Sequence, residues 1–339
     1  MEAPGIGLSL EMAHATVAVR HHNGSYQNIA SVETDLRYNE KMADLIHAGR
    51  GREFDNSTIE VLGNTVRQLR LAVENAGIDV TAAAITLPDP IYLQYDEAAA
   101  ILDYATIRNV MYDPVETEGI ATRFSLPGLC AISAAYAGHG MGLCTDYLDV
   151  HACEEQEACL PNHHVLQIDL SSGSLAGTTW RFAQTYWSPV IVDTFVNTSL
   201  GTNAIQHTPR EQGYWQAVCQ AIRGLLTSFL PNKIDYLILT GTSAHVFVHP
   251  LKAAMREALL DAGYQINVQS GRQIDQVLHV DHVVHEPLWV TARGAAEIAK
   301  RRLEGPFLCR YDNRSEEQRR PLRERIKEWE ADGLTELHF

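Results

Sequence analysis

The chain has 339 residues, of which 45% are hydrophobic and 20% charged, a composition typical of a globular protein. Single hydrophobic cores stop growing near roughly 250–300 residues, so two lobes with separate cores are expected. The 42 acidic and 27 basic side chains give a formal net charge of −15, which argues against a nucleic acid partner. No secretion signal and no apolar run of roughly 18 residues is found, which predicts a cytoplasmic protein without membrane association.

The first half of the chain alternates between strand and helix patterns. Residues 5–19 are rich in small and β-branched side chains and, with the turn at 23–25 and the apolar run after it, predict a β-hairpin. The polar stretch 33–56 predicts a loop, and apolar side chains at helical spacing predict a helix over 57–77. The run 81–90 predicts a buried strand that ends in a proline-containing loop.

The end of this half contains two further helix patterns. A helix is predicted around 95–107, where apolar side chains again follow helical spacing. The alanine-rich run 129–142 has about the length of one helix and is closed by glycines. The acidic stretch 145–163 predicts a loop or hinge, so the first lobe is expected to end there.

The six cysteines are scattered along the chain and do not resemble the dense framework of a small secreted domain. Reduced thiols are therefore expected. Cys153 and Cys159 lie near three histidines, but the five residues between them match no standard zinc-ligand spacing. No metal site is predicted.

The second half repeats the order of the first. Residues 163–183 predict a strand, a Ser/Gly turn and a second strand, as in the amino-terminal hairpin, which indicates a duplicated lobe architecture. A helix near 211–229, a buried strand and Gly/Ser/Thr turn over 235–244, and a helix over 248–263 follow. A last helix over 291–304 carries small residues on one face, which would allow close approach to a neighbouring element.

These elements predict three regions. Lobe I covers 1–163, and lobe II covers 164–305, with its last helix returning toward lobe I. Residues 306–339 are predicted to form a charged tail, in which 312–333 is dense in Arg and Glu with few apolar anchors and predicts a solvated helix or a loosely held segment.

The order of the motifs resembles the nucleotide-binding domain of the 70-kDa heat-shock chaperones, in the superfamily shared with actin and sugar kinases. Two segments resemble its phosphate hairpins, GIGLSLEMAHATVAV (5–19) and VLQIDLSSGSLAGTTW (165–180). LILTGTSAHVFVHPLKAAM (237–255) resembles its adenosine motif, and AAAITLPDP (82–90) its strand with a proline-containing loop. LCAISAAYAGHG and ARGAAEIA resemble its two connecting helices. The resemblance spans residues 5–304.

This resemblance implies an α/β protein with a two-lobed actin-like (ribonuclease-H-like) fold. The stretch between the second phosphate hairpin and the adenosine-like strand is shorter than is usual in the family, which implies reduced upper subdomains. No peptide-binding domain follows in the sequence, so peptide chaperoning is not implied.

The resemblance also implies an eroded phosphate site. The family's aspartate in the first hairpin corresponds to Gly7, and one of the threonines after it to Glu11, whose charge would repel a triphosphate. No glutamate stands near 126–128, where the family orders the attacking water. Asp169 is retained in the second hairpin, but the later carboxylate falls on Ala176. Efficient ATP hydrolysis is therefore not expected.

The candidate catalytic residues are Asp169, His139 and Asp89. Asp169 could instead cap a turn, and Asp89 could either point into the cleft or cap the following helix. The candidate cofactor-binding residues lie in the two Gly/Ser turns and the last helix: Ser171, Ser172, Gly173, Ser174, Gly241, Thr242, Ser243 and Gly294. A plain strand-to-helix turn or a helix-packing glycine is the alternative interpretation for the last four.

The favoured hypothesis is a catalytically degenerate member of the superfamily that binds a small molecule in the interlobe cleft without efficient ATP hydrolysis. ATP and ADP are candidate ligands, with Mg²⁺ only when a nucleotide is bound. The alternative is an enzyme whose repurposed cleft performs acid–base chemistry, such as cyclisation or isomerisation, on a non-nucleotide organic substrate. A second alternative is an interaction protein that recruits a protein partner through its surface.

Overall fold

The computed structural model describes residues 3–48, 54–91, 93, 95–111, 129–182, 190–207, 211–228, 234–244, 246–264 and 287–305. These residues form a mixed α/β fold with two β-sheets. Within them, no helix is both long enough and apolar enough to cross a membrane. The charged tail predicted over 306–339 lies outside the described residues.

The first sheet contains β1 (Gly5–Leu10), β2 (His14–Arg20), β3 (Tyr26–Glu33), β4 (Ala82–Leu87), β5 (Arg108–Asn109) and β6 (Leu129–Cys130). Its strand order is β3-β2-β1-β4-β5, and β6 also pairs with β4. The first three strands are antiparallel neighbours, whereas β4 runs parallel to β1. The predicted hairpin and the predicted buried strand are both confirmed.

Three helices pack on this sheet: α1 (Leu36–Ala48), α2 (Asn56–Asn75) and α3 (Tyr95–Tyr104). The helices predicted over 57–77 and 95–107 are confirmed. The prediction of a loop over 33–56 is wrong, because α1 has an apolar face formed by Tyr38, Met42 and Leu45. These side chains join the core beneath β1 and β2.

The second sheet contains β7 (His163–Leu170), β8 (Leu175–Phe182), β9 (Val190–Asn197) and β10 (Tyr236–Thr240). Its order is β10-β7-β8-β9, with β10 parallel to β7 and the other neighbours antiparallel. This is the arrangement of β4-β1-β2-β3 in the first sheet, so the repeated pattern predicted from the sequence is confirmed. The helices α6 (Glu211–Ser228) and α7 (Val248–Asp261) cover a separate core against it.

Two helices with small side chains lie between the sheets, α4 (Ala131–Gly138) and α8 (Val290–Glu304). They share one apolar cluster with β4 and another with β7, β8 and β10. A Cβ atom added at Gly294 would overlap the carbonyl oxygen of Ala134, and one at Gly138 would overlap that of Val290. The predicted close approach of the last helix to a neighbour is confirmed, and it is possible only because both positions lack a side chain.

The segment between α4 and β7 contains a further helix, α5 (Val150–Ala158), where the sequence had predicted a loop over 145–163. Asp149 caps α5, accepting hydrogen bonds from two backbone N–H groups of its first turn. The expectation of reduced thiols is wrong for Cys144 and Cys153, which form a disulfide with their Cα atoms 5.1 Å apart. The turn into α5 brings Cys153 back to Cys144 nine residues earlier.

Candidate functional site

Three buried carboxyl groups meet where the two sheets face each other. Glu11 lies in the turn between β1 and β2, Asp89 follows β4, and Asp169 stands near the end of β7. All three line one cavity of about 20 Å³, which has room for roughly one water molecule. Because β1 and β4 are parallel, their carboxyl ends bring Glu11 and Asp89 to the same edge of the first sheet.

Glu11 is held in its protonated form. Its side chain is 7% exposed, and Ser9 Oγ donates a hydrogen bond of 2.6 Å to its Oε1. Burial, together with the negative charge of Asp169, raises the pKa of Glu11 to about 8, against the opposing effect of the Ser9 hydrogen bond. Glu11 is expected from the sequence to carry a charge, whereas burial makes it predominantly neutral at pH 7.

Asp89 connects the cavity to α4. Its Oδ1 accepts a hydrogen bond of 3.2 Å from the backbone N–H of Ile132, in the first turn of α4. Burial raises the pKa of Asp89 to about 7, although backbone N–H groups of α4 and the Thr178 hydroxyl favour its charged form. Asp89 therefore does both things that the sequence offered as alternatives: it lines the cavity and it contacts the start of a helix. That helix is α4, however, and not α3, which directly follows Asp89 in the sequence.

Asp169 ends a polar chain across the second sheet. Gln167 Nε2 donates to Thr240 Oγ1 over 3.1 Å, and Thr240 Oγ1 donates to Asp169 Oδ2 over 2.9 Å. Burial raises the pKa of Asp169, and the hydrogen bond from Thr240 partly opposes this. Gln167 is 6% exposed and lines the same cavity, where its Oε1 has no hydrogen-bond partner among the described residues.

The two hairpin turns approach each other at this edge. A Cβ atom added at Gly173 would lie 3.6 Å from the Cβ of Ala13, in ordinary van der Waals contact. Ser171 and Ser174 are fully buried, and their hydroxyl groups are hydrogen-bonded to each other at 3.0 Å. The Ser171 N–H donates to the Ser174 carbonyl, and the Glu11 N–H is likewise bound within its own turn. These turn groups are therefore occupied inside the protein.

A second cavity lies beside these turns. It has a volume of about 220 Å³ and is lined by Met12, Ala13, Asn39, Ala43, Gly173 and Thr198. This volume is below the roughly 300–1,000 Å³ of common ligand pockets, so it suits a small group rather than a whole nucleotide. Of the predicted cofactor-binding residues, Gly173 alone lines it; Ser172 is half-buried in the same turn and accepts from the Asn203 N–H.

The turn after β10 is built around Gly241. This residue has φ +100°, and an added Cβ atom would overlap the Leu170 carbonyl, so the position requires glycine. Ser243 donates its N–H to the same carbonyl over 3.0 Å, and its hydroxyl group lies 2.9 Å from that of Thr202. The Thr242 Oγ1 is buried without a partner among the described residues. Neither cavity is lined by these three residues.

The remaining candidates lie apart from the carboxyl groups. His139 caps the carboxyl-terminal end of α4, whereas Asp89 contacts its first turn, so an eight-residue helix of about 12 Å separates them. Gly294 packs against the backbone of α4. Gly7, the position of the family's aspartate, lies directly beneath α8, where an added Cβ atom would overlap the Ala292 carbonyl. No side chain can replace Gly7 in this packing.

Sequence reasoning missed several members of the site. Glu11 was considered only as a repelling charge, and Gln167 and Thr240 were not considered. Two signals were available: Gln167 precedes Asp169 by two positions, so both face one side of β7, and Thr240 lies opposite Asp169 in the parallel pairing of β10 with β7. The second signal requires the strand register, which the sequence does not provide.

The chemistry of this site is that of a closed, proton-sharing carboxyl cluster. Its oxygen atoms are of the type that Mg²⁺ prefers, but the ligand atoms of the three carboxyl groups do not all lie within 4.8 Å of one another. Their raised pKa values allow proton donation near neutral pH. A scan against protein-family models found no match, and a search of curated proteins found none either.

Proposed function

We propose that the protein is a catalytically degenerate relative of the 70-kDa heat-shock chaperone ATPase module, which binds a small molecule between its two lobes without efficient ATP hydrolysis. The repeated order of the two sheets, each with three antiparallel strands and a fourth parallel to the first, supports an actin-like, ribonuclease-H-like architecture. The position of α4 and α8 between the sheets supports their assignment as connecting helices.

The small size of the cavity beside Glu11 carries this proposal. In a competent module of this kind the phosphates lie between such turns, and backbone N–H groups cradle them. Here Glu11 stands in the first turn, the cavity beside it holds about one water molecule, and the hydroxyl groups of Ser171 and Ser174 in the second turn are bonded to each other. The cavity beside Glu11 has no space for a triphosphate.

Phosphate release from Mg-ATP tests the loss of hydrolysis. The matched variant is Asp169→Asn, which removes the retained carboxylate and keeps an oxygen that accepts from Thr240. We expect the wild type and the variant to release phosphate at the same background rate. Multiple turnovers by the wild type that Asp169→Asn abolishes would refute the proposal.

Thermal unfolding tests for a ligand beside the turns. A ligand at a hundred times its dissociation constant adds about 2.7 kcal/mol of stability. The larger cavity accommodates only one small group of a nucleotide, so we expect Mg-ADP, the smaller ligand, to stabilise the protein more than Mg-ATP. Ala43→Phe fills the larger cavity and should abolish the effect, whereas Ala48→Phe, on the exposed end of α1, should preserve it. The absence of a shift with either nucleotide would remove nucleotides from the candidate ligands.

A second candidate function is acid–base catalysis on an organic substrate. The observation that favours it is a pair of carboxyl groups, Glu11 and Asp89, whose pKa values are raised to about 8 and about 7 in one cavity. The cavity holds about one water molecule, so a substrate would have to enlarge it to reach them. Turnover of such a substrate should then be lost in both Glu11→Gln and Asp89→Asn; a variant pair that retains full activity would exclude this role.

A further inference from the structure

The Cys144–Cys153 disulfide belongs to a polar cluster away from the carboxyl site. It joins the segment after α4 to the first turn of α5, and its two cysteines are nine positions apart in the sequence. Arg301, on α8, donates from Nη1 to the Cys144 carbonyl over 2.7 Å and lies 3.6 Å from the Cys144 sulfur. Glu157, one turn after Cys153 on α5, places Oε1 3.7 Å from the Cys153 sulfur.

The two sulfur atoms differ in accessibility. As whole residues, Cys144 is 2% exposed, whereas Cys153 is half-buried. An incoming thiolate must approach along the S–S axis, so the less buried Cys153 is the more accessible target. Attack at Cys153 makes Cys144 the leaving group.

The neighbours suit this direction of attack. A guanidinium group beside a sulfur stabilises the thiolate, so Arg301 favours departure of Cys144 with the electron pair of the broken bond. Glu157 is 5% exposed, and its oxygen can accept a hydrogen bond from Cys153 only when that sulfur carries a proton. The cluster therefore contains a stabilising partner for each sulfur in the reduced state.

We infer that Cys144 and Cys153 form a thiol–disulfide exchange site that reacts with a low-molecular-weight thiol of the glutathione class. The thiolate of the first molecule attacks the Cys153 sulfur, a mixed disulfide forms there, and Cys144 leaves as a thiolate beside Arg301. The thiolate of a second molecule attacks the sulfur of the bound thiol, which releases Cys153 and an oxidised small-molecule disulfide. The two protons of the small thiols end on Cys144 and Cys153, so atoms and electrons balance.

Exchange at this site changes how the loop is attached to α8. The loop is held there by the Arg301 hydrogen bond to Cys144, by Arg301 stacked 4.7 Å over the Tyr147 ring, and by a 2.6 Å hydrogen bond from Tyr147 to Glu304. The disulfide fixes the loop geometry that presents these groups. Reduction should therefore increase amide hydrogen exchange over 143–160 while β1 and β7 remain protected.

Glutathione trapping tests the direction of attack in the full-length protein. With oxidised glutathione, Cys144→Ser should retain one glutathione on Cys153, located by peptide mass spectrometry. Cys153→Ser should carry at least about tenfold less on the buried Cys144. Cys159→Ser is the matched control, because Cys159 is an exposed thiol at the end of α5, and this variant should keep the disulfide.

Reduction of the wild type by glutathione tests the same site and does not depend on whether a variant folds. The Cys144–Cys153 pair should be oxidised in the purified protein and should be converted to two alkylatable thiols as the reduced glutathione fraction rises. Arg301→Gln should slow this conversion by roughly threefold to tenfold, and Arg301→Lys by less.

Three results would overturn the inference. The first is alkylation of both cysteines before any reductant is added. The second is glutathione on Cys144 in preference to Cys153. The third is one equivalent of bound Zn²⁺ whose removal is needed before the thiols react, since the ligand atoms of Cys144, Cys153 and Glu157 all lie within 4.8 Å of one another.

Discussion

Replacement of Glu11 by glutamine should stabilise the protein at neutral pH. Below the usual pKa near 4.5, Glu11 is neutral in both the folded and the unfolded protein. As the pH rises toward about 8, only the unfolded chain ionises this group, so the free energy of unfolding falls. The stability that Glu11 contributes is therefore fully present at acidic pH and lost as the pH approaches 8.

The size of the effect follows from the pKa difference. Each pH unit between the two pKa values costs about 1.4 kcal/mol for one carboxyl group, so the cost between pH 5 and pH 7 is about 3 kcal/mol. Glutamine has the shape of the neutral side chain and retains an oxygen that accepts from Ser9 Oγ. Glu11→Gln should therefore match the wild type well below pH 4.5 and exceed its free energy of unfolding by about 3 kcal/mol at pH 7.

Urea unfolding at several pH values measures this difference. Glu60→Gln is the matched control, because Glu60 is exposed on α2, and its pH dependence should equal that of the wild type. Asp89 remains in the variant, so a smaller decline of stability with pH should persist. A Glu11→Gln variant that keeps the wild-type pH dependence, or that is less stable than the wild type at pH 7, would show that Glu11 is ionised when folded and would refute the reasoning.

Two glycine pairs give further predictions. Gly294→Ala should destabilise the protein by several kcal/mol because its Cβ atom would overlap the Ala134 carbonyl, whereas Gly224→Ala, on α6 with no atom within 4 Å, should raise stability by roughly 0.5–1 kcal/mol. Gly263 has φ +81° and open space around it, so Gly263→Ala should lower the free energy of unfolding by about 1 kcal/mol. Gly241→Ala should lower it further, because this position combines positive φ with overlap of the added Cβ atom onto backbone. Thermal unfolding measures all four; equal costs within either pair would contradict the packing argument.

The repeated hairpins, the buried strands and the long helices could be predicted from the sequence because each has a strong local pattern. The helix α1 was missed because its apolar positions, Tyr38, Met42 and Leu45, are few within a polar stretch. The disulfide was missed because pairing depends on the turn before α5, and spacing alone does not show which cysteines meet.

The candidate site was predicted only in part. Asp89 was identified from its position after a buried strand and Asp169 from the resemblance of its hairpin to a phosphate hairpin, and both line one cavity. The third member, Glu11, lies beside Asp89 at the edge of the first sheet and meets Asp169 through the facing of the two sheets, which no local pattern encodes. The protonation of Glu11 also escaped prediction, because it results from burial among groups far apart in the sequence.

The packing of α8 on β1 has a consequence for folding during synthesis. Arg20 on β2 forms a 2.6 Å ion pair with Glu297, and the Lys300 ammonium donates to the Ala3 carbonyl over 3.0 Å. At the usual elongation rate of about 5–20 residues per second, α8 leaves the ribosome roughly 15–60 seconds after β1 is made. The nascent amino-terminal sheet therefore exposes apolar surface throughout that interval, and its final docking must follow translation of almost the entire described chain.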